Sequence, residues 1–121
     1  SLRRQRQMCI RDRGAPTIIA SYDHREVYIN TTGNSALASG GSGDVLTGMI
    51  AGLIAQGACI FDASIAGVYL HGLAGDIASE YKTEYGVTAQ DVLEHIPEAL
   101  KKVIVKIEGI TKNYLTTFKY K

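Results

Sequence analysis

Three glycines in four residues, Gly40-Gly41-Ser42-Gly43, stand directly ahead of a helical stripe, and this junction constrains the chain more than any other feature. Glycine lets the backbone turn through positive φ and approach another molecule closely. From Val45 to Gln56, apolar residues fall at 45, 46, 49, 50, 53 and 54, the spacing of a helix with a wide apolar face. The first N–H groups of such a helix lack intrahelical acceptors, and its dipole puts partial positive charge beside them. A glycine loop running into a helix start is therefore fitted to hold a phosphate or another anion. Asp44 lies at the same start, where negative charge is favoured. Its carboxylate can accept the proton of a hydroxyl that attacks a phosphoryl group, as an aspartate does in protein kinases. The Gly40–Gly43 loop can meanwhile stabilise the phosphoryl oxygens as an anion hole. The pattern is equally that of an ordinary helix cap with a tight turn, and the residues alone leave both open. Two better-known glycine motifs do not fit: no Gly-Lys-Ser/Thr is present, and Leu46 stands where a dinucleotide fingerprint needs its third glycine.

Upstream, Thr17-Ile18-Ile19-Ala20 and Glu26-Val27-Tyr28-Ile29-Asn30 are β-branched and aromatic runs around a turn at residues 22–25, which predicts a β-hairpin. Downstream, Gly57 ends the first helix. Gly48 and Gly52 within it each cost about 1 kcal/mol against Ala, for which close packing is a sufficient reason. Asp62 is expected to cap a second helix over 63–81, with a stripe of Ile65, Ala66, Tyr69, Leu70, Leu73, Ala74, Ile77 and Tyr81. Thr88 and Asp91 have capping-box spacing. A short helix should follow to Ile96, with Pro97 opening another from Glu98 to about Ile107. From Gly109 the pattern is weak enough to fray. Two strands, a glycine loop and then helices do not complete an α/β domain, because a two-stranded hairpin is marginal by itself.

A chain of 121 residues suits one domain. No apolar run approaches the roughly 18 residues of a membrane span. The net charge of +1 hides an asymmetry. Residues 1–13 carry five arginines against Asp12, residues 14–100 carry Arg25 and Lys82 against ten acids, and residues 101–121 carry six lysines against Glu108. Such an acidic middle argues against tracking a nucleic-acid backbone. Cys9 and Cys59 give neither a disulfide framework nor zinc spacing. Cys59 reads as a buried thiol, and the setting as reducing and cytoplasmic. Residues 1–13, SLRRQRQMCIRDR, show no periodicity or cap and resemble a translated sequencing-adaptor artefact, so they are set aside from the fold. The domain is taken to run over 14–107, with a basic, weakly structured tail over 108–121.

Four segments carry a resemblance: Thr32-Gly33-Asn34, then Ala38 to Gly48, then Ile50-Ala51-Gly52-Leu53-Ile54-Ala55-Gln56-Gly57, then Tyr69-Leu70-His71-Gly72-Leu73-Ala74-Gly75-Asp76. In this order and spacing they resemble the ADP/ATP-dependent NAD(P)H-hydrate dehydratases, with weaker similarity through Ala89–Val92 and Ile96–Leu100. The resemblance implies the C-terminal part of a ribokinase-like three-layer α/β/α fold. It implies a lyase that uses ADP or ATP, with Mg2+, to return the S-form of hydrated NADH or NADPH to NADH or NADPH. It places Asp44 as base and substrate contact, and Gly43 on the nucleotide within the Gly40, Gly41, Ser42 and Gly43 loop. The family's Lys-Gly-x-x-Thr nucleotide segment falls on Arg13, Gly14, Ala15, Pro16 and Thr17, with Arg13 where lysine is usual. The partners implied are small molecules, with no nucleic acid and no membrane, and the complete protein is expected to be a homo-oligomer. Much of the substrate pocket would lie upstream, so the chain alone is expected to be inactive. A vitamin or sugar kinase of the same fold and a non-catalytic interaction domain are the other readings. Of the remaining candidates, His71 reads as a packed or capping histidine, His24 as a turn residue and His95 as a surface residue. Asp76 and Glu80 read as a solvated acidic pair, and no residue is expected to ligate a metal.

Overall fold

The β-branched runs form the expected hairpin in a computed structural model that describes residues 9–11, 17–23 and 25–119, with side chains at 17–23 and 25–110. Strands β2 (Ile18–Ala20) and β3 (Val27–Ile29) pair antiparallel, Ile18 opposite Ile29 and Ala20 opposite Val27. Strand β1 (Cys9–Arg11), inside the segment set aside above, pairs antiparallel with the other edge of β2. Side chains alternate across a sheet, so Ile19 points to the face opposite Ile18. Ile19 is completely buried, whereas Ile18, Val27 and Ile29 are exposed.

After a 3-10 turn (Ser35–Ala38) come three helices: α1 (Ser42–Ala55), α2 (Ile60–Gly86) and α3 (Ala89–Lys119). Helix α2 is central, packing against β2, the 3-10 turn, α1 and α3. Leu70, Ala74, Ile77 and Ala78 of α2 join Ala36, Val87, Val92 and Ala99 in one buried cluster. Burial wraps most of the way round α2, taking in Ala63, Ser64, Gly67, Val68, His71, Gly72 and Gly75 as well. A helix enclosed this way does not show its packing as one stripe. Tyr81, assigned to that stripe, is 70% exposed and stacks on His95 with ring centroids 5.4 Å apart.

The helix ends depart from expectation in three places. Cys59, not Asp62, caps α2: its Sγ accepts the Asp62 N–H at 3.5 Å, and at this surface position the thiol is exposed rather than buried. Near its end α2 is interrupted at Thr83, whose φ of 64° is unusual for a β-branched residue. Third, α3 continues through Pro97 instead of dividing there. Proline removes one backbone bond, to the Leu93 carbonyl. Val92 and Ala99 are buried in the same core on either side of it, and Ile96 packs against that core, so the break in the ladder is spanned. The backbone remains helical through Gly109 to Lys119.

The capping box at the start of α3 forms as read. Thr88 donates its N–H and hydroxyl to Asp91 Oδ2, each at 2.9 Å, and Asp91 returns its N–H to Thr88 Oγ1 at 3.2 Å. Lys82 of α2 adds its ammonium to Asp91 Oδ1 at 2.7 Å. Close helix contact occurs at glycines of α2, not α1. A Cβ on Gly67 would sit 2.6 Å from Ile50 Cγ1, while one on Gly48 or Gly52 would meet nothing within 4 Å. Among the described residues, then, packing does not account for Gly48 and Gly52. No helix among them is long and apolar enough to cross a membrane.

Candidate functional site

The segment from Asn30 to Asp44 carries the site, and α2 holds it in place. The buried Asn30 donates through Nδ2 to the Thr32 carbonyl at 3.0 Å, and Thr32 Oγ1 donates to the Tyr69 carbonyl of α2 at 2.8 Å. Contact is so close here that a Cβ on Gly72 would lie 2.2 Å from Thr32 Oγ1 and 2.8 Å from its carbonyl oxygen. One turn on, Asp76 uses both carboxylate oxygens, accepting the Gly33 N–H at 2.9 Å and Asn34 Nδ2 at 2.8 Å. Asn34 in turn caps the 3-10 turn, accepting the Ala36 N–H on Oδ1 at 2.8 Å. Asp76 is therefore a loop anchor, correcting its reading as one of a solvated pair; Glu80 is exposed. The signal for this was a carboxylate one helical turn after the Gly72 contact, facing a Gly-Asn pair with donors to spare. It becomes visible only once α2 is docked on the loop.

At Gly41 the chain takes a φ of +87°, which glycine tolerates and other residues resist, and α1 begins at Ser42. The turn closes with Ser42 N–H to the Ser39 carbonyl at 3.3 Å and the N–H groups of Asp44 and Val45 to the Gly41 carbonyl at 3.1 and 3.2 Å. Between these, the Gly43 N–H has no acceptor among the described residues. A Cβ on Gly40 or Gly43 would meet nothing within 4 Å, so open space faces both. Asp44 follows, exposed, in the first turn of α1. Beside Gly40, the Ser39 hydroxyl is buried and has no partner among the described residues. Such a group is open to a hydrogen bond from water or from a ligand. From below, His71 of α2, only 4% exposed, places Nε2 3.0 Å from the Ser42 carbonyl and 3.1 Å from Ser42 Oγ.

Gly40, Gly41, Ser42, Gly43 and Asp44 are thus brought together as one helix start, the arrangement their spacing suggested. Thr17 lies at the foot of β2, its carbonyl accepting the Asn30 N–H at 2.8 Å, with no bond to the glycine loop. Arg13, Gly14, Ala15 and Pro16 lie outside the described residues, as does His24. His95 is half-buried, its Nδ1 donating to the Asp91 carbonyl at 2.7 Å, away from the loop. The described residues include no group of three His, Cys, Asp or Glu arranged to hold a metal ion.

A family model described as NAD(P)H-hydrate dehydratase matches residues 1–98. A bifunctional NAD(P)H-hydrate repair enzyme of Thermofilum pendens is 42% identical over 102 residues, 84% of this chain and 19% of its own. The ADP-dependent (S)-NAD(P)H-hydrate dehydratase of Neisseria meningitidis is 50% identical over 68 residues, 56% of this chain and 23% of its own. Among solved structures, the ADP/ATP-dependent NAD(P)H-hydrate dehydratase of Bacillus subtilis, co-crystallised with ATP and Mg2+ and soaked with CoA, superposes with a TM-score of 0.69 at 34% identity. That match covers 74% of this chain and 33% of the other. The chain spans about a fifth of the length of these curated relatives.

Proposed function

The chain belongs to the NAD(P)H-hydrate dehydratase family and shares the ribokinase-like fold of its solved relatives, and from this we propose that it supplies the phosphoryl-transfer edge of a nicotinamide-repair lyase. The reaction returns the S-form of hydrated NADH or NADPH to NADH or NADPH, with ADP going to AMP or ATP to ADP. One observation carries the reading: the unpartnered Gly43 N–H and the exposed Asp44 carboxylate adjoin at a helix start with open space before them. An exposed amide in the first turn of a helix is free to bond an anion, and the adjoining carboxylate turns that site toward phosphoryl chemistry.

Asp44 takes the proton of the hydrate's hydroxyl as that oxygen attacks the terminal phosphorus, and the bond from phosphorus to the bridging oxygen breaks to release the shortened nucleotide. The Gly43 amide, with the α1 dipole behind it, binds the phosphoryl oxygens as their charge builds. The phosphorylated carbon then loses phosphate and its neighbour a proton, restoring the ring double bond. The nucleotide fits the residues present, since the loop offers a free amide, open approach at Gly40 and Gly43, and the orphan Ser39 hydroxyl. Among the described residues no group of three His, Cys, Asp or Glu could hold Mg2+, and an ion bound with the nucleotide would be held mainly by its phosphates. With this reading go a cytoplasmic setting and a homo-oligomeric complete protein.

The test supplies the complete protein carrying this segment with hydrated NADH and ADP or ATP. The absorbance of reduced nicotinamide should return, with one phosphate released per turnover. Phosphorylation of a vitamin or sugar without that recovery would favour a kinase of the same fold and sink the proposal. Asp44→Asn should lower kcat by roughly 10²–10⁴-fold, the range of general-base contributions, with nucleotide affinity kept within a few-fold. Equal loss of affinity and turnover would make Asp44 a structural residue.

A further inference from the structure

The donor that the proposed reaction needs most, the Gly43 N–H, sits in the first turn of α1, where a helix is held by the fewest of its own bonds. Gly41 and Gly43 flank a single side chain, Ser42, and neither glycine resists rotation as a larger residue would. The bonds that close the turn fix the Ser42, Asp44 and Val45 amides and the Gly41 carbonyl. None of these turn bonds acts on the peptide unit between Ser42 and Gly43, whose carbonyl is the first within α1 to accept a bond of the helix's own ladder. That unit is planar and trans, so its C=O and N–H point in opposite directions and rotate together. Whatever holds the Ser42 carbonyl therefore aims the Gly43 amide.

His71 holds it. Its Nε2 lies 3.0 Å from the Ser42 carbonyl oxygen, with both residues less than 5% exposed. A carbonyl can only accept, so Nε2 carries the proton in this bond. The same proton also lies within reach of Ser42 Oγ, 3.1 Å from Nε2. His71 is itself on a firm base, between Tyr69, whose carbonyl accepts from Thr32, and Gly72, which is in contact with Thr32. We infer that His71 is a positioning residue for the reaction, fixing the Ser42–Gly43 peptide plane from beneath so that the Gly43 N–H faces the transferring phosphoryl group. This inference rests on the proposed reading of the loop as an anion hole. It also explains why a histidine on a packing helix is buried against the glycine turn.

The route through the peptide plane differs from a route through the serine hydroxyl, and three variants of the complete protein separate them. His71→Ala should lower kcat roughly 10- to 100-fold, somewhat less than outright removal of an oxyanion-hole donor, with a smaller change in nucleotide KM. His71→Gln, whose side-chain amide N–H can reach the same carbonyl, should recover most of that loss. Ser42→Ala keeps the carbonyl bond and should lose distinctly less kcat than His71→Ala. A His71→Ala protein that loses melting temperature but keeps kcat would overturn the inference, making His71 structural only. Failure of Gln to rescue, or a Ser42→Ala loss as large as that of His71→Ala, would overturn it too. A parent protein without hydrate repair would instead point to failure of the functional reading, which is read in the same assay before any variant is compared.

Discussion

Gly41 and Gly43 differ in what requires them. At Gly41 the demand is internal: φ is +87°, and an added Cβ would also come within 3.3 Å of Ala89 Cβ. Gly41→Ala should cost about 1–2 kcal/mol of stability from the left-handed backbone alone. At Gly43 nothing in the described protein stands in the way, and alanine is the better helix former by up to about 1 kcal/mol. Gly43→Ala should therefore melt at or above the parent's temperature while weakening nucleotide binding, because the methyl group occupies the approach to the amide. Thermal melts and nucleotide titrations on the two variants check this. A Gly43→Ala protein that melts early and binds nucleotide normally would reverse the assignment. The Gly-Asp junction was legible in the sequence because both its glycines and its helix start are local features. Asp76 and His71 were not, because their partners lie 42–43 and 29 residues away and nothing in the local pattern distinguishes an anchoring carboxylate from a solvated one.

The elements that sequence reasoning located well are those whose ends carry their own chemistry. The hairpin, the Gly57 stop and the Thr88–Asp91 box are of this kind. Pro97 misled because a proline signals a boundary only when nothing beyond it continues the packing, and here Ile96, Ala99 and Val103 all lie in or against the core. The Thr88–Asp91 box also predicts how α3 responds to acid. The Lys82 ammonium, then the N–H and hydroxyl of Thr88, hold the Asp91 carboxyl down to about 2 from its ordinary 3.8. A carboxyl whose pKa falls on folding stabilises the fold above its unfolded value and loses that contribution as pH drops through its folded value. The melting-temperature gap between the parent and Asp91→Asn should be constant near neutral pH, shrink below about pH 4 and close near pH 2. A gap that persists at pH 2 would mean that Asp91 acts by shape or neutral hydrogen bonding and not by charge.

On the scale of the whole molecule, the described residues cover one side of the β2–β3 hairpin and leave the other exposed. Ile19 is fully buried on the covered side, while Ile18, Val27 and Ile29 are 41%, 59% and 56% exposed on the other. An antiparallel sheet can leave one face to water, but β-branched residues on that face are the kind a further layer of an α/β fold would cover. At Gly48 and Gly52 of α1 an added Cβ would likewise meet no described residue, and the chain spans only about a fifth of the length of its curated relatives. The 121-residue chain by itself should show no turnover of hydrated NADH, and it should bind a hydrophobic dye and self-associate as its concentration rises. Replacing Val27 and Ile29 together by threonine should relieve that association. In the complete protein the same pair should cost on the order of 2–4 kcal/mol, the value of burying two such side chains, read as a lower denaturant midpoint with hydrate repair still detectable. If the double substitution leaves the complete protein's stability unchanged, this sheet face remains open to solvent there and the three-layer arrangement does not extend over it.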